Sequence, residues 1–403
     1  MPMRRSHAKS RLGCQQCKVR RVKCDEQTPA CTRCVKRGEK CSFLTSPAEQ
    51  DSPSSNSHGT PHDCSQEQHS RHLLELELMQ QWTTITYKSM AYDRPDAQPL
   101  LTIDLPRSAL NHEYLLDAIF SFTALHLASQ SQDDPSTADY YVSAAVHFRD
   151  RGMARVAPVL QDVHLSEDDP EPRELYALFW FSALAGVVTM AMTVVTQHSP
   201  SCPAFPDVPI GKRFISMEIA LAQLWRGTRA IMDIASSLRG GMNLGTAPPP
   251  VKPHGKIDKE LVSFIAQLET LVEQSDSPRS PADGQLEAKP LYRQSVELMR
   301  KAIETFCVSG SLEELMAFGP VLGENFATLL QEGEPLALLN TLCYGTLLDL
   351  VSHKWWIGSA GKALVDECST ALRGCPEEWR DLISRARRKV GLAEALSPSM
   401  SVG

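Results

Sequence analysis

The sequence lacks the short motifs that mark the common enzyme classes. No Gly-rich phosphate loop occurs in its 403 residues, because the segment Gly358-x2-Gly361-Lys362 does not have the Walker spacing. No Gly-x-Ser-x-Gly elbow for a serine nucleophile is present. His112-Glu113 is followed by Leu116 where a metalloprotease helix would carry its second histidine. We therefore expect the chain not to be an enzyme.

A secretory signal is also missing. The amino-terminal stretch MPMRRSHAKSR has no apolar core, so we expect the protein to work in a reducing compartment. Six of the 12 cysteines fall between Cys14 and Cys41. In a reducing compartment such a cluster indicates a metal site and not a disulfide framework. The other six cysteines are scattered and are interpreted as small core residues.

Charge is distributed unevenly, although the net charge is only −7. Residues 1–44 hold 12 Lys and Arg against 3 Asp and Glu, a balance of +9, and the remainder has a balance of −16. This distribution indicates that the basic segment 1–44 binds a polyanion and that the acidic remainder of the chain does not.

The clustered cysteines repeat one unit, Cys-x2-Cys-x6-Cys, twice without interruption. They are Cys14, Cys17, Cys24, Cys31, Cys34 and Cys41. A structural zinc ion takes four ligands, so two ions would need more bonds than six unshared thiolates supply. Two sulfurs must then bridge both ions, and the symmetry predicts equivalent residues of the two halves. Such a module has almost no apolar core, so zinc binding would supply most of its folding free energy.

Basic residues fill the six-residue gaps of this repeat. The predicted DNA-binding residues are Lys18, Arg20, Arg21 and Lys23 in the first gap, and Lys36 and Arg37 in the second. We expect the first four to lie on a short rigid helix that enters the major groove, where Arg or Lys donates to guanine. Other cations would bind phosphates. Residues 1–11 form an additional basic arm for phosphate contact or nuclear import.

A zinc module can instead bind protein, as RING and LIM domains do. Those domains use separate four-ligand sites, usually with histidine and with wider spacing between cysteine pairs. Six cysteines without histidine and with a basic first half favour binding to double-stranded DNA, and a protein-binding zinc adaptor remains the weaker alternative.

The segment CQQCKVRRVKCDEQTPACTRCVKRGEKC resembles the fungal binuclear zinc cluster transcription factors over Cys14–Cys41 without a gap. The resemblance implies two zinc ions with Cys14 and Cys31 as the bridging ligands. It also implies that Arg20 and Arg21 lie where the family recognises CGG triplets, with Arg21 contacting the bases. A nuclear transcription regulator of the RNA polymerase II type, working with the transcription machinery, is the expected function.

We expect five segments along the chain: a basic arm at 1–11, the zinc cluster at 12–43, a disordered linker at 44–70, an all-α regulatory domain at 71–392 and a tail at 393–403. The linker is rich in Ser, Pro, Gln and His and nearly free of large apolar residues. Apolar residues at helical period predict helices in the regulatory domain. The predicted helices begin at about His72 and cover Leu110–Gln130, Asp139–Val159, Leu175–Thr196, Phe214–Leu238, Ile257–Glu273, Pro290–Cys307, Pro335–Val351, Lys354–Leu372 and Glu377–Val390.

One run, Leu175–Thr196, carries no charge and is long enough to cross a membrane. It contains Gly186, Ser182 and several hydroxyl side chains, and the acidic residues Asp168, Asp169 and Glu174 precede it. We interpret it as a central core helix, with a membrane span as the alternative.

The helical region also resembles the fungal sterol uptake control proteins and their relatives. The segments that carry this resemblance are LLELELMQQWTTITY, LNHEYLLDAIFSFTALHLA, LFWFSALAGVVTMA and the turn at Trp355-Trp356-Ile357-Gly358. The usual Trp-Trp-x-x-Gly-Trp-Gly pattern here continues as Ser359-Ala360-Gly361. The resemblance implies a regulatory domain that controls a metabolic or secondary-metabolite gene set. The alternative is a sterol-responsive regulator that binds a small hydrophobic ligand.

No heptad pattern lasting three repeats follows Cys41, so no coiled coil is predicted after the cluster. A homodimer, if one forms, is expected to use the helical domain or to assemble only on DNA.

Overall fold

The computed structural model describes residues 14–20, 22–27, 30–37, 41, 61–90, 98–165, 172–224, 258–275, 288–309 and 312–393. The chain divides into two compact units, residues 1–66 and 67–403. In its described part the first unit holds two very short helices, α1 (Gln15–Val19) and α2 (Thr32–Val35), and the first six residues of the helix that continues into the second unit. Its buried cluster consists of the six cysteines, with Ala30 packed against them.

The second unit is built from helices, and no strand occurs among the residues the structure describes. The α-helices are α3 (Pro61–Thr84), α4 (Leu105–Ala109), α5 (Glu113–Gln130), α6 (Pro135–Leu165), α7 (Pro172–Val195), α8 (213–224 in the described part), α9 (Lys259–Gln274), α10 (Ala288–Ser309), α11 (Glu313–Met316), α12 (Phe318–Gln331), α13 (Pro335–Leu348), α14 (Ala360–Ala371) and α15 (Glu377–Lys389). A small zinc-binding module followed by an all-α region confirms the predicted fold class.

Helix α5 lies at the centre of the amino-terminal half of the helical unit and packs against α6 and α7. It is buried nearly all round, including the carboxylate of Asp117, which has no exposed surface. Arg151 and Arg155 of α6 donate to Asp117 at 2.6 and 2.8 Å. These ion pairs compensate the buried charge and hold α5 to α6.

Helices α13 and α14 form the most closely packed pair in the carboxyl-terminal half. A methyl group added at Gly361 would lie 2.5 Å from the backbone oxygen of Gly345, so only glycine fits. Gly358 has a φ of +43°, which also favours glycine. In and directly after the turn that includes Trp355 and Trp356, close packing therefore requires glycine at 361, and the backbone conformation favours it at 358.

Helix α7 is the one helix among the described residues that is long and apolar enough to cross a membrane, over Arg173–Val195. In the structure it packs against α5, and 61% of its most apolar window is buried. This is the position of a core helix.

The structure differs from the predicted elements in several places. Helix α3 begins at Pro61, inside the segment predicted as linker, because proline is well suited to the first turn of a helix. Helix α14 begins at Ala360, after the tryptophan turn, and not near Lys354. Helices α4, α11 and α12 were not predicted. The basic arm at 1–11, residues 44–60 of the linker and residues 394–403 of the tail lie outside the described residues.

Candidate metal centre and nucleic-acid interface

The two halves of the cysteine repeat adopt the same local structure. Cys14 and Cys31 occupy the residue before the first turn of α1 and α2, respectively. Each donates its backbone N–H to the last cysteine of its own half, Cys24 and Cys41, and both distances are 3.4 Å. The second cysteine of each pair follows one helical turn later, which brings its sulfur next to the first.

The distances between sulfurs fit zinc. Cys14 Sγ lies 3.6 Å from Cys31 Sγ and 3.7 Å from Cys34 Sγ, and Cys17 Sγ lies 3.8 Å from Cys31 Sγ. Four sulfurs placed tetrahedrally at the usual Zn–S bond length of about 2.3 Å are separated by about 3.8 Å. The sulfur cluster therefore has the dimensions of zinc–thiolate tetrahedra.

The six sulfurs fall into two overlapping groups of four. Cys14, Cys17, Cys24 and Cys31 form one group, and Cys14, Cys31, Cys34 and Cys41 form the other. Within each group all sulfurs lie within 4.8 Å of one another, and every cysteine is buried. The groups have Cys14 and Cys31 in common. Six ligands arranged in this way offer four bonds to each of two ions.

The protonation of these thiols depends strongly on their crowding. Burial, followed by hydrogen bonds within the cluster, raises the pKa of Cys17 to about 12 and also raises the pKa of Cys34. At Cys31 burial acts in the same direction, but hydrogen bonds from Cys34, Cys14 and Cys17 outweigh it and lower its pKa to about 6. Because zinc binds thiolates, the cations must displace protons from this cluster when they bind.

The predicted DNA-binding residues that the structure describes lie at the carboxyl end of α1, in the segment that follows α1, and in the segment that follows α2. Lys18 is in α1, and Arg20 caps the carboxyl end of that helix. Lys23 lies beyond it, so the prediction of one helix carrying all four cations of the first gap is wrong. Helix α1 stops at Val19 because the chain must turn back to bring Cys24 to the cluster. Arg21 lies outside the described residues.

In the second half, Lys36 and Arg37 follow α2 and are exposed. Arg33 of α2 is exposed as well, so the second half presents three exposed cations between residues 33 and 37. Arg33 was not among the predicted residues because it lies within a Cys-x2-Cys pair and not in a six-residue gap. Its position directly before Cys34 was the available signal.

Comparison with known proteins agrees with this geometry. Residues 12–50 match the model of the fungal Zn(2)-Cys(6) binuclear cluster domain. A Zn(2)-C6 fungal-type transcription factor of Gibberella zeae is 24% identical, with 95% of this chain and 86% of that protein aligned. The Zn(2)-C6 fungal-type transcription factor afumD of Aspergillus fumigatus is 36% identical over 34% of this chain and 38% of its own length.

The resemblance of the helical region to sterol uptake control proteins gains no support. Sterol uptake control protein 2 of Candida albicans is 54% identical, but over 46 residues only, which are 11% of this chain and 6% of that protein. The match is to the amino-terminal domain and does not extend to the helical region. No solved structure matches the chain.

The cysteine geometry and these relatives lead to the same assignment. Fungal zinc cluster transcription factors are generally nuclear, and they bind DNA and the transcription machinery. The chain is accordingly a DNA-binding transcription regulator and not an enzyme, and its amino-terminal module is a fungal Zn(2)-Cys(6) binuclear cluster domain that binds two zinc ions.

Proposed function

We propose that residues 12–43 bind CGG-containing promoter sites in double-stranded DNA. The observation that carries the proposal is the position of exposed cations on a scaffold fixed by metal. Lys18 and Lys23 flank the first half of the sulfur cluster, and Lys36 and Arg37 flank the second. Phosphate contacts from several of these side chains would orient the module, and a guanidinium directed at guanine would supply sequence information.

The proposal that Arg21 contacts the bases rests on the family resemblance. Its neighbour Arg20 caps α1, so the chain at this point emerges from a helix anchored by Cys14 and Cys17. In this proposal Arg21 donates to guanine, while Lys18, Arg20, Lys23, Lys36 and Arg37 contact phosphates or neighbouring bases.

Zinc supplies two divalent cations that neutralise thiolates and fix the fold of the module. We propose that Cys14 and Cys31 bridge the two ions, since they belong to both four-sulfur groups. Cys17 and Cys24 would complete one site, and Cys34 and Cys41 the other.

The wider role rests on the family resemblance. We propose that the protein acts in the nucleus, that the helical domain transmits a signal to the transcription machinery, and that the targets form a metabolic or secondary-metabolite gene set. Dimerisation, if it occurs, would use the helical domain or take place on DNA. Genome-wide occupancy of the tagged protein tests the choice of targets directly.

A mobility-shift assay with full-length protein and CGG duplexes distinguishes residues that hold the zinc ions from residues that contact the bases. Cys17→Ala is expected to abolish binding and to lower the zinc content, because it removes a ligand on which folding depends. Arg21→Ala is expected to keep both zinc ions and to lose about 1–3 kcal/mol of discrimination between CGG and mutated sites.

Two variants outside the module serve as controls. Cys307→Ala removes a cysteine of the helical unit, and Arg380→Ala removes an exposed arginine of α15. Both are expected to bind like the wild type. Equal loss of zinc in Cys17→Ala and Arg21→Ala would refute the proposed division of roles, and a wild-type protein without preference for CGG would refute the recognition itself.

The alternative of a lipid receptor is not favoured by the described residues. Two cavities among these residues, one beside Ser121 and Phe181 and one beside Val272 and Arg300, have volumes of about 20 and 40 Å³, which is space for a few water molecules and not for a sterol. Trp355 stacks on His126 with ring centroids 4.8 Å apart, and Trp356 is fully buried, so both serve the core. Lipid extraction of the purified full-length protein would overturn this view if it recovered a stoichiometric sterol.

A further inference from the structure

The segment that joins the two halves of the zinc module turns sharply directly after Cys24. Glu26 has a φ of +56°, and it is the one residue other than glycine with positive φ in the described part of the chain. A left-handed residue reverses the chain locally. The turn places Asp25, the residue before it, opposite the first turn of α2.

Asp25 accepts a hydrogen bond from that first turn. The backbone N–H of Thr32 donates to Oδ2 of Asp25 at 3.1 Å, and the Thr32 hydroxyl donates to Oε1 of Gln27 at 3.0 Å. The first N–H groups of a helix have no partner within the helix and require an external acceptor. Cys31 occupies the capping position but makes no capping bond, because its sulfur belongs to the metal cluster. Asp25 therefore supplies an external acceptor for the N–H of the first helical residue.

We propose that Asp25 is a positioning residue for DNA binding, which locks α2 to the first half of the module. Apart from the sulfurs of Cys31 and Cys34, α2 is held by the Cys31 N–H, which donates to Cys41 Sγ within the same half of the module. The bond from Thr32 to Asp25 adds a direct anchor in the first half. It fixes the direction in which Arg33, Lys36 and Arg37 meet the duplex. This inference rests on the proposed DNA contacts of the module.

Electrostatics alone predicts the opposite effect for the loss of Asp25. A carboxylate beside a DNA-binding surface repels phosphates, so its removal should strengthen binding. Loss of a positioning residue should instead weaken binding, because the cations of the second half no longer reach their phosphates together. The sign of the change in affinity therefore distinguishes the two roles.

The test uses the full-length protein and a fluorescent CGG duplex, with Kd measured by anisotropy. Asp25→Ala is expected to bind about three- to tenfold more weakly, a fold-change of the size that loss of a capping acceptor has on the helix equilibrium. Asp25→Asn keeps an acceptor oxygen and is expected to bind at least as tightly as the wild type. Glu26→Gln is the matched control, since it removes the adjacent negative charge and is expected to leave binding unchanged or tighter. Zinc content should stay at two ions per chain in all three variants.

Salt dependence and a combined variant show whether the effect passes through α2. For every phosphate that the protein no longer neutralises, the slope of log K against log salt concentration should decrease in magnitude by about 0.9. The slope should therefore become shallower in Asp25→Ala and stay constant in Asp25→Asn. Adding Lys36→Ala and Arg37→Ala to Asp25→Ala should weaken binding less than the separate losses combined, because all three changes remove the same phosphate interactions.

Several results would overturn the inference. These are tighter or unchanged binding by Asp25→Ala, additive losses in the combined variant, or loss of zinc together with affinity, which would show a purely structural role. A wild-type protein that does not prefer the CGG duplex would instead refute the proposed function, so the two failures are distinguishable.

Discussion

Glu218 is a carboxylic acid enclosed in the core of the helical unit. It lies on α8, it is 4% exposed, and its Oε1 has no hydrogen-bond partner among the described residues. Burial raises the pKa of Glu218 to about 8. Burial also raises the pKa of nearby Tyr344, with a further contribution from the charge of Glu218. The group is therefore neutral at pH 7, which limits the cost of enclosing it.

This burial couples the stability of the helical unit to pH. In the unfolded chain Glu218 ionises near its ordinary value of 4.5, whereas in the folded chain it keeps its proton up to about pH 8. Its contribution to stability is therefore complete below about pH 4.5 and is lost as the pH rises to 8. Over that interval the free energy of unfolding should fall by up to about 1.4 kcal/mol per pH unit through this group.

Glu218→Gln removes this titration and should flatten the pH dependence of unfolding. Thermal unfolding of both proteins between pH 5 and 9 measures the difference, and above pH 8 the variant should have the higher Tm. Glu304→Gln, which changes an exposed carboxylate of α10, should follow the wild-type curve. Parallel curves for wild type and Glu218→Gln would contradict the assigned burial. Glu367 titrates in the same sense, with its pKa raised to about 7 by burial, and both variants retain it.

Two charged side chains, Glu367 and Arg213, hold the start of helix α8 in place. The carboxylate of Glu367 accepts the backbone N–H groups of Phe214 and Ile215 at 3.0 and 2.9 Å. The guanidinium of Arg213, 1% exposed, donates to the carbonyl oxygens of Ser199 and Pro200 at 2.7 and 2.8 Å. Arg213 thus ties the proline-rich loop after α7 to α8.

Arg213→Lys is expected to destabilise the helical unit by about 1–3 kcal/mol, although the charge is kept. An ammonium group cannot reproduce the planar set of donors, so buried carbonyls lose their partners. Urea unfolding at pH 7 measures the loss, and limited proteolysis should show faster cleavage in residues 197–212. Lys212→Arg, at the exposed neighbouring position, is the control and should change stability by less than about 0.5 kcal/mol. Wild-type stability of Arg213→Lys would show that the carbonyl contacts contribute little.

Helices with a regular apolar face were predictable from sequence, and irregular ones were not. In α9 the buried residues Leu261, Phe264, Ile265, Leu268 and Val272 recur at helical spacing, and the prediction was off by only one or two residues at each end. Helix α12 was not predicted because it contains glycine and proline residues, which normally indicate a loop. Its Gly323 has a φ of +69°, so the helical geometry is interrupted there and two helical segments meet at a kink.

At the scale of the whole molecule, the zinc centre was far more predictable than the surface that uses it. Ligand number and spacing determine which sulfurs converge, because zinc chemistry allows few arrangements. The length of α1 and the exposure of Arg33 follow instead from how the chain returns to the cluster. The turn at Glu26, with its positive φ, has no signature such as glycine in the sequence. It was therefore not predictable.

The two units of the chain also differ in what stabilises them. The buried cluster of the first unit consists of metal-binding cysteines, whereas the core of the second draws on apolar residues from Leu78 to Val390. Removal of zinc should therefore unfold the first unit and leave the second intact, because only the first depends on metal for its folding free energy. A chelator should abolish binding to DNA while most of the far-ultraviolet helical signal and the thermal transition of the helical unit remain. Readdition of zinc should restore binding, and loss of the main helical signal on chelation would show that the second unit depends on the metal as well.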